Sequence, residues 1–432
     1  MTDQQRPPLR LGIAGLGTVG GGVVAIVQQH GALLAARAGR RIEITAITAR
    51  NRSRDRGVDL SSYAWEDDPV ALARRDDVDV LIEVMGGEDG PAKAAVEAAI
   101  AGGKHVVTAN KAMMAIHGQS MAEGAEAAGV ALRYEAGVAG GIPIVKALGE
   151  GLAANIINRV MGVMNGTCNY ILTQMEKTGA DYADVLEDAK RLGYAEADPS
   201  FDVGGIDAAH KLALLASLGF GTKVDFQGVV IEGIERITLA DIRHAADMGF
   251  RIKLLGVAQM TDMGLEQRMQ PCLVPAHTPI GQLDGVMNAV VIEGDQVGQI
   301  FLQGPGAGAG PTASAIMADV IDIARGLTGP AMGLPAAQLV AAPRAGDASS
   351  AEFYLRLLLK DAPGVLAKVA SALGEEGVSI RQMRQYDHDG EAAPLLIVTH
   401  SATRSAIDGA MGRIGAMEYS LEAPVALRIE HV

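Results

Sequence analysis

A short segment, Leu9 to Ala14, apolar but for Arg10, leads directly into Gly15-Leu16-Gly17-Thr18-Val19-Gly20, and an apolar-rich segment, Val23 to Gln29, follows. A strand that enters a Gly-x-Gly-x-x-Gly turn and leaves as a helix restricts the fold severely. The first glycine permits the tight turn, the second lets a pyrophosphate approach the backbone, and the third lets the helix pack closely on the strand. The phosphates then sit on the amides at the helix N-terminus. The spacing alone is a weak signal, and the strand before and helix after it supply the context it needs. The chain therefore begins with a doubly wound α/β domain of Rossmann type, with Gly15, Gly17, Thr18, Val19 and Gly20 against a dinucleotide.

A second strand, Ile42 to Thr48, ends where a domain preferring NAD usually carries an acid for the ribose 2′-hydroxyl. This chain offers Ala49-Arg50-Asn51-Arg52-Ser53-Arg54 instead. Arginine suits a 2′-phosphate, so Arg50 points to NADP, with NAD as the alternative. Two further segments read as parallel strands: Val78 to Gly87, ending in glycines, and Lys104 to Lys111, with a polar end. Ligands gather at such carboxyl ends, which makes Glu83 and Lys111 pocket candidates.

Glu196 to Lys211 carries a second constellation. Asp207 and Lys211 are four residues apart, so on a helix they share a face and form a proton-handling pair. Glu196 would reach the same pocket from the preceding loop. His210 is rotated about 100° from Lys211 and reads as structural.

The net charge of −14 argues against a nucleic-acid partner, because phosphate binding requires a basic face. The polar first ten residues and the lack of any later apolar run of about 18 residues predict no membrane span and a cytoplasmic protein. Cys168 and Cys272 stand far apart, which rules out a disulfide framework within one chain and suits a reducing compartment. Aromatic residues make up only 3%, so the core must be aliphatic and layered.

Taken in order, Gly15 to Gly20, Thr108 to Lys111, Met164 to Leu172, Gly193 to Pro199, Gly205 to Leu212 and Gly304 to Gly308 resemble homoserine dehydrogenase over nearly the whole chain. The resemblance implies an NAD(P)-dependent oxidoreductase that interconverts L-aspartate 4-semialdehyde and L-homoserine, a step toward threonine and methionine. It carries the family's two active-site lysines onto Lys111 and Lys211, and its substrate-binding acids onto Glu196 and Asp207. Lys111 also falls among the cofactor contacts, as does Gly308 at the start of a helix returning to the cofactor domain. The loop Tyr134 to Ile142 resembles the family's monovalent-cation loop, implying sodium held by backbone oxygens around Val138, Gly140 and Ile142 with Glu135 nearby. Cys168 is a structural or substrate-side thiol in this reading, and the assembly is a homodimer or homotetramer.

Composition shifts at Leu334 to Ser350, rich in Ala, Pro, Gly and Ser. Beyond it, Phe353 to Leu359 reads as a strand, Lys360 to Gly364 as a turn and Val365 to Leu373 as an amphipathic helix. Strands near Ser379 to Gln385 and Pro394 to His400 and a helix near Ala406 to Ile414 follow. This order resembles an ACT domain, a ferredoxin-like module that binds amino acids, implying feedback by an effector such as threonine near Asp361 and Gly364. The expected division is a Rossmann domain at 1–135 completed by 305–333, an α/β substrate and dimerisation domain at 136–304, a linker at 334–350, and the ACT domain at 351–432.

Overall fold

A computed structural model describes residues 6–385 and 392–431 of the chain, so residues 1–5 of the polar N-terminal stretch lie outside it. The molecule consists of two compact units, one of residues 1–166, 207–227 and 286–342, the other of 167–206, 228–285 and 343–432.

In the first unit, strands β1 (Leu9–Ala14), β2 (Ile42–Thr48), β3 (Ala64–Trp65), β4 (Val80–Glu83), β5 (His105–Thr108) and β6 (Leu132–Arg133) form a sheet in the order β3-β2-β1-β4-β5-β6. Every pairing is parallel. Such a sheet is covered on both faces, which is why β4 reads as an unbroken buried run rather than an alternating one. Strand order reverses between β1 and β4, and a crevice opens at their carboxyl ends. The strand expected over Lys104 to Lys111 is shorter than that span. It stops at Thr108, and Lys111 opens the helix Lys111–Ala127.

The helix after the glycine turn runs from Thr18 to Ala38, well past Gln29. By length and mean hydropathy it is long and apolar enough to cross a membrane, although Gln28, Gln29 and His30 interrupt it and it holds no unbroken apolar run of the expected length. Its apolar residues have another use here: Val23, Val24 and Leu34 join the core of the parallel sheet together with Ile316 and Val320. The last two belong to the helix Ala309–Arg325, which lies close against it; a Cβ on Gly22 would meet the Ala309 carbonyl oxygen at 2.7 Å. The same unit holds β7 (Ile157–Val163) and the helix Ile206–Phe220.

The second unit contains β8 (Val229–Ile231) and a long antiparallel pair, β9 (Phe250–Thr261) and β10 (Gly264–Pro275), registered from Gly264 opposite Thr261 to Pro275 opposite Phe250. In the first unit, β11 (Met287–Gly294) lies between β7 and β12 (Gly298–Pro305), antiparallel to both. The C-terminal part of the second unit is a ferredoxin-like module. Its strands β13 (Glu352–Lys360), β14 (Ile380–Gln385), β15 (Ala392–Thr399) and β16 (Val425–Ile429) follow the order β16-β13-β15-β14. Helices Val365–Glu375 and Arg404–Gly415 place Val369, Leu373, Ile407 and Ile414 in one core with Leu355 and Ile397. The fourth strand, β16, was not foreseen from the sequence. It pairs with β13, and also with β10 through Cys272 opposite Arg428 and Leu273 opposite Ile429.

Candidate active site

Beyond β1 and β4 lies a cavity of about 470 Å³ lined by Gly15, Leu16, Gly17, Thr48, Arg50, Asn51, Arg54, Arg56, Asp67, Met85 and Gly86, among others. Gly15 has φ 105°, and a Cβ there would meet the Val84 carbonyl oxygen at 2.7 Å. A Cβ on Gly20 would come within 2.0 Å of the Gly15 oxygen, so this glycine permits the close packing of turn and helix. Nothing lies within 4 Å of a Cβ built on Gly17, the N-cap of the helix that Thr18 and Val19 open. Gly17 therefore leaves space over helix amides for an anion, and the residues present fit a dinucleotide pyrophosphate. Arg50 and Arg54 are exposed on the loop after β2, while Arg56 is braced, donating from Nε to the Leu16 oxygen at 2.9 Å. Among the described residues, Lys111 and Gly308 are not part of this lining. Gly308, with φ 115°, caps the helix Ala309–Arg325.

Glu83, a pocket candidate by sequence, is instead a fully buried brace. Its carboxylate accepts from the Met85 amide at 2.7 Å, the Gly86 amide at 3.2 Å and Thr108 Oγ1 at 2.6 Å. Burial pushes its carboxyl up, against the pull of these donors. The network continues: the Asn110 amide donates to Thr108 Oγ1 at 3.0 Å, and the Asn110 side chain accepts from the Met113 amide at 3.1 Å, capping the helix whose first residue is Lys111. A satisfied buried network of this kind fixes where a helix starts. Glu83 thus acts on the placement of Lys111 from the end of β4.

The helix Ile206–Phe220 is buried at every position from Asp207 to Leu218. It has no solvent face over that stretch, so its charges must find partners within the protein. Lys211 Nζ lies 2.7 Å from Asp207 Oδ2, and Lys111 Nζ lies 3.0 Å from Asp207 Oδ1. Lys211 Nζ also donates to the Met164 oxygen at 2.8 Å, and Asn165 Nδ2 donates to Asp207 Oδ2 at 3.0 Å. Burial works to raise the Asp207 carboxyl, but Lys211 and Lys111 outweigh it and hold the group well below the usual carboxylate range. The spacing of Asp207 and Lys211 pointed to half of this cluster. Met164 and Asn165, directly after β7, were missed as functional residues, because nothing local in their motif signals that they meet a helix farther along the chain.

His210 is buried, its ring 4.1 Å from that of Phe226. Burial and the nearby Lys111 push its pKa down to about 4, so it is a neutral packing residue near neutral pH. Glu196 stands on an exposed turn of the second unit. Cys168, also in that unit, is buried and donates to the Asp202 oxygen at 3.2 Å. Glu135 is buried, with its carboxylate accepting from the Val145 and Lys146 amides at 3.0 and 2.9 Å. Burial and neighbouring Asp319 push it up to about 7. Its two oxygens each accept one backbone amide. Among the described residues, Ala139, with φ 52°, is the one non-glycine of positive φ, and Gly140 follows at 32°. Between Val138 and Ile142, the loop is bent in a way extended strand or helix is not.

Residues 15–135 match the NAD-binding domain of homoserine dehydrogenase, residues 143–321 match homoserine dehydrogenase itself, and residues 353–418 match the ACT domain. A homoserine dehydrogenase of Neisseria gonorrhoeae is 43% identical over 97% of this chain and 98% of its own length. The crystal structure of a homoserine dehydrogenase from Thiobacillus denitrificans superposes with a TM-score of 0.93 at 39% identity, covering 99% of both chains. A hyperthermophilic archaeal homoserine dehydrogenase in complex with NADPH superposes with a TM-score of 0.64 at 25% identity, over 75% of this chain and 99% of that one. By sequence along almost its whole length, and by fold, this chain belongs to the homoserine dehydrogenase family.

Proposed function

We propose that the cluster of Lys111, Asp207 and Lys211 is where this NAD(P)-dependent oxidoreductase handles the proton in interconverting L-aspartate 4-semialdehyde and L-homoserine. The observation that carries this reading is the pair of ammonium groups held on opposite oxygens of one buried carboxylate. A bound nicotinamide supplies hydride to the aldehyde carbon in reduction and takes it back in oxidation. The carbonyl oxygen then needs a proton as it becomes an alkoxide, and a cation beside it stabilises the developing charge. Lys211 gives that proton in reduction and receives it in oxidation, while Lys111 polarises the carbonyl. Asp207 supports both as their shared counter-ion. Since its oxygens are already engaged, its share in holding the substrate's α-ammonium is secondary, and the motif Gly193 to Pro199 supports Glu196 for that contact.

Arg50 and Arg54 in the cavity lining support NADP as the preferred cofactor over NAD, and the archaeal relative's complex with NADPH points the same way. The bent loop at Val138, Gly140 and Ile142, with Glu135 beside it, supports a sodium ion on backbone oxygens, hard ligands suited to a hard cation. The match to the ACT domain supports an amino-acid effector, threonine foremost, with its carboxylate at the amides near Asp361 and Gly364. Free thiols at Cys168 and Cys272 support a cytoplasmic enzyme. The family resemblance supports a homodimer or homotetramer.

The test is L-homoserine oxidation by the purified protein with NADP and with NAD, comparing wild type with Lys211→Ala. Wild-type turnover with a loss of about 100-fold or more in the variant is the expected result. Full activity in the variant would remove Lys211 from the proton step.

A further inference from the structure

We infer that Asn165 is a positioning residue for proton transfer: with the Met164 carbonyl it forms a two-residue clamp that assigns one oxygen of Asp207 to each lysine. The inference rests on the proposed roles of Lys111, Asp207 and Lys211 and adds a residue to them.

A carboxylate on a short side chain turns easily about its last torsion, because that sp³–sp² bond has broad preferences. Left to itself, Asp207 could offer both oxygens to one lysine and leave the other unpaired. Asn165 is buried, and its Nδ2 holds Oδ2 at 3.0 Å on the side where Lys211 already binds that oxygen at 2.7 Å. Oδ1 is thereby left for Lys111. The preceding residue secures the other partner, since Lys211 Nζ donates to the Met164 oxygen at 2.8 Å. An ammonium has three N–H groups. With one on Asp207 and one on Met164, a single N–H of Lys211 remains for a reacting oxygen, so the clamp defines a direction as well as a distance. Both clamp atoms come from the residues directly after β7, which ends at Val163 and is registered against β11 from Ala289 opposite Val163. A site carried on a strand end is held more firmly than one on a free loop.

The charged and titratable groups around Asp207 are Lys211 and His210 on its own helix and Lys111 on the helix Lys111–Ala127. Removing the Asn165 donor leaves these in place and withdraws one of the bonds that favour ionised Asp207. The split between kcat and KM, with rates taken per folded molecule, therefore distinguishes positioning from mere structural support. In Asn165→Ala, kcat for homoserine oxidation per folded molecule should fall about tenfold or more, with KM for NADP within about twofold of wild type. In Asn165→Asp the donor is lost and a second carboxylate faces Asp207, so kcat should fall at least as far. The folded fraction, read from the unfolding transition, normalises both rates, so partial unfolding leaves the readout intact. A kcat per folded molecule within about twofold of wild type in both variants would overturn the inference. Lys211→Ala measured alongside separates the two failures: an inactive Lys211 variant with unchanged kcat in the Asn165 variants removes the clamp alone, and a fully active one removes the reading beneath it.

Discussion

Two clusters of buried charge, one in each unit, are built for opposite purposes. In the first unit a single carboxylate, Asp207, faces two ammonium groups, and the Lys111 side chain stays 29% exposed. In the second unit Arg268 and Arg428 are surrounded by Glu266, Glu430 and Asp347, none of the five side chains more than 9% exposed. Arg268 Nη2 lies 2.6 Å from Glu430 Oε1, Arg428 Nε 2.8 Å from the same oxygen, and Arg428 Nη1 2.6 Å from Asp347 Oδ1. The first cluster keeps excess positive charge beside a partly open side chain, as charge that forms during a reaction requires. The second turns inward and joins β10 to β16 and to the segment before β13. It is imperfect, for Arg268 Nη1 and Asp347 Oδ2 have no hydrogen-bond partner among the described residues. Burial alone therefore does not mark a functional charge; what matters is the sign of the charge left over, positive around Asp207 and negative around the two arginines, and whether it is open or enclosed.

The strongest way to break this contrast is Glu430→Leu. Both arginines would lose a shared carboxylate in a site water does not reach, and removing one partner of a buried pair costs about 3–5 kcal/mol. Urea denaturation should show that loss, while kcat per folded molecule stays within about twofold of wild type. A shift in the pH profile of kcat would mean that this cluster reaches the chemistry after all.

A smaller effect belongs to Lys253, a buried amine with only neutral direct partners. Its Nζ donates to Asn169 Oδ1 at 3.0 Å and to the Leu283 oxygen. Burial, aided by Arg251, pushes its pKa down to about 7, with Asp284 and Glu176 opposing and Lys177 adding to the fall. Above that value the folded protein holds it neutral, whereas the unfolded chain keeps it protonated until about 10.4. The unfolded state binds more protons in this window, so Lys253 makes stability rise with pH from about 7 upward. At up to about 1.4 kcal/mol per unit, wild type should gain on the order of 2 kcal/mol over Lys253→Met between pH 7 and pH 9. Denaturant midpoints at the two pH values measure it; a constant difference between the proteins would show that Asp284 and Glu176 keep the amine charged.

How legible each cluster was follows from the distance its partners span along the chain. The pairing of Asp207 with Lys211 follows from helical spacing, and the glycine turn follows from its strand and helix context. Lys111 stood out at the polar end of an expected strand, but its place on Oδ1 of Asp207 depends on two separate helices meeting, which no local pattern encodes. Glu83 has the sequence signature of a strand-end ligand, and only the three donors around it show it to be a brace. Arg268 and Glu430 are 162 residues apart, in strands whose pairing was not foreseen because β16 itself was missed: five residues near a chain end carry too short a pattern to announce a strand. The family resemblance reached Lys111 and Glu196 because a motif preserves chemistry without stating the geometry behind it.

Arg50 completes the series as a charge with almost no burial cost, standing exposed at the rim of the dinucleotide cavity. An exposed guanidinium contributes little to stability, so Arg50→Ala should leave the denaturation midpoint unchanged within error. Its effect should appear only when a 2′-phosphate arrives, as charge-assisted hydrogen bonds missing from the variant. The expected loss is about tenfold in kcat/KM for NADPH, or about 1.4 kcal/mol, with NADH unaffected. An equal fall for both cofactors would move Arg50 from the 2′-phosphate to a feature the two share, such as the pyrophosphate. Arg54→Ala then becomes the decisive variant, because Arg54 is exposed and lines the same cavity.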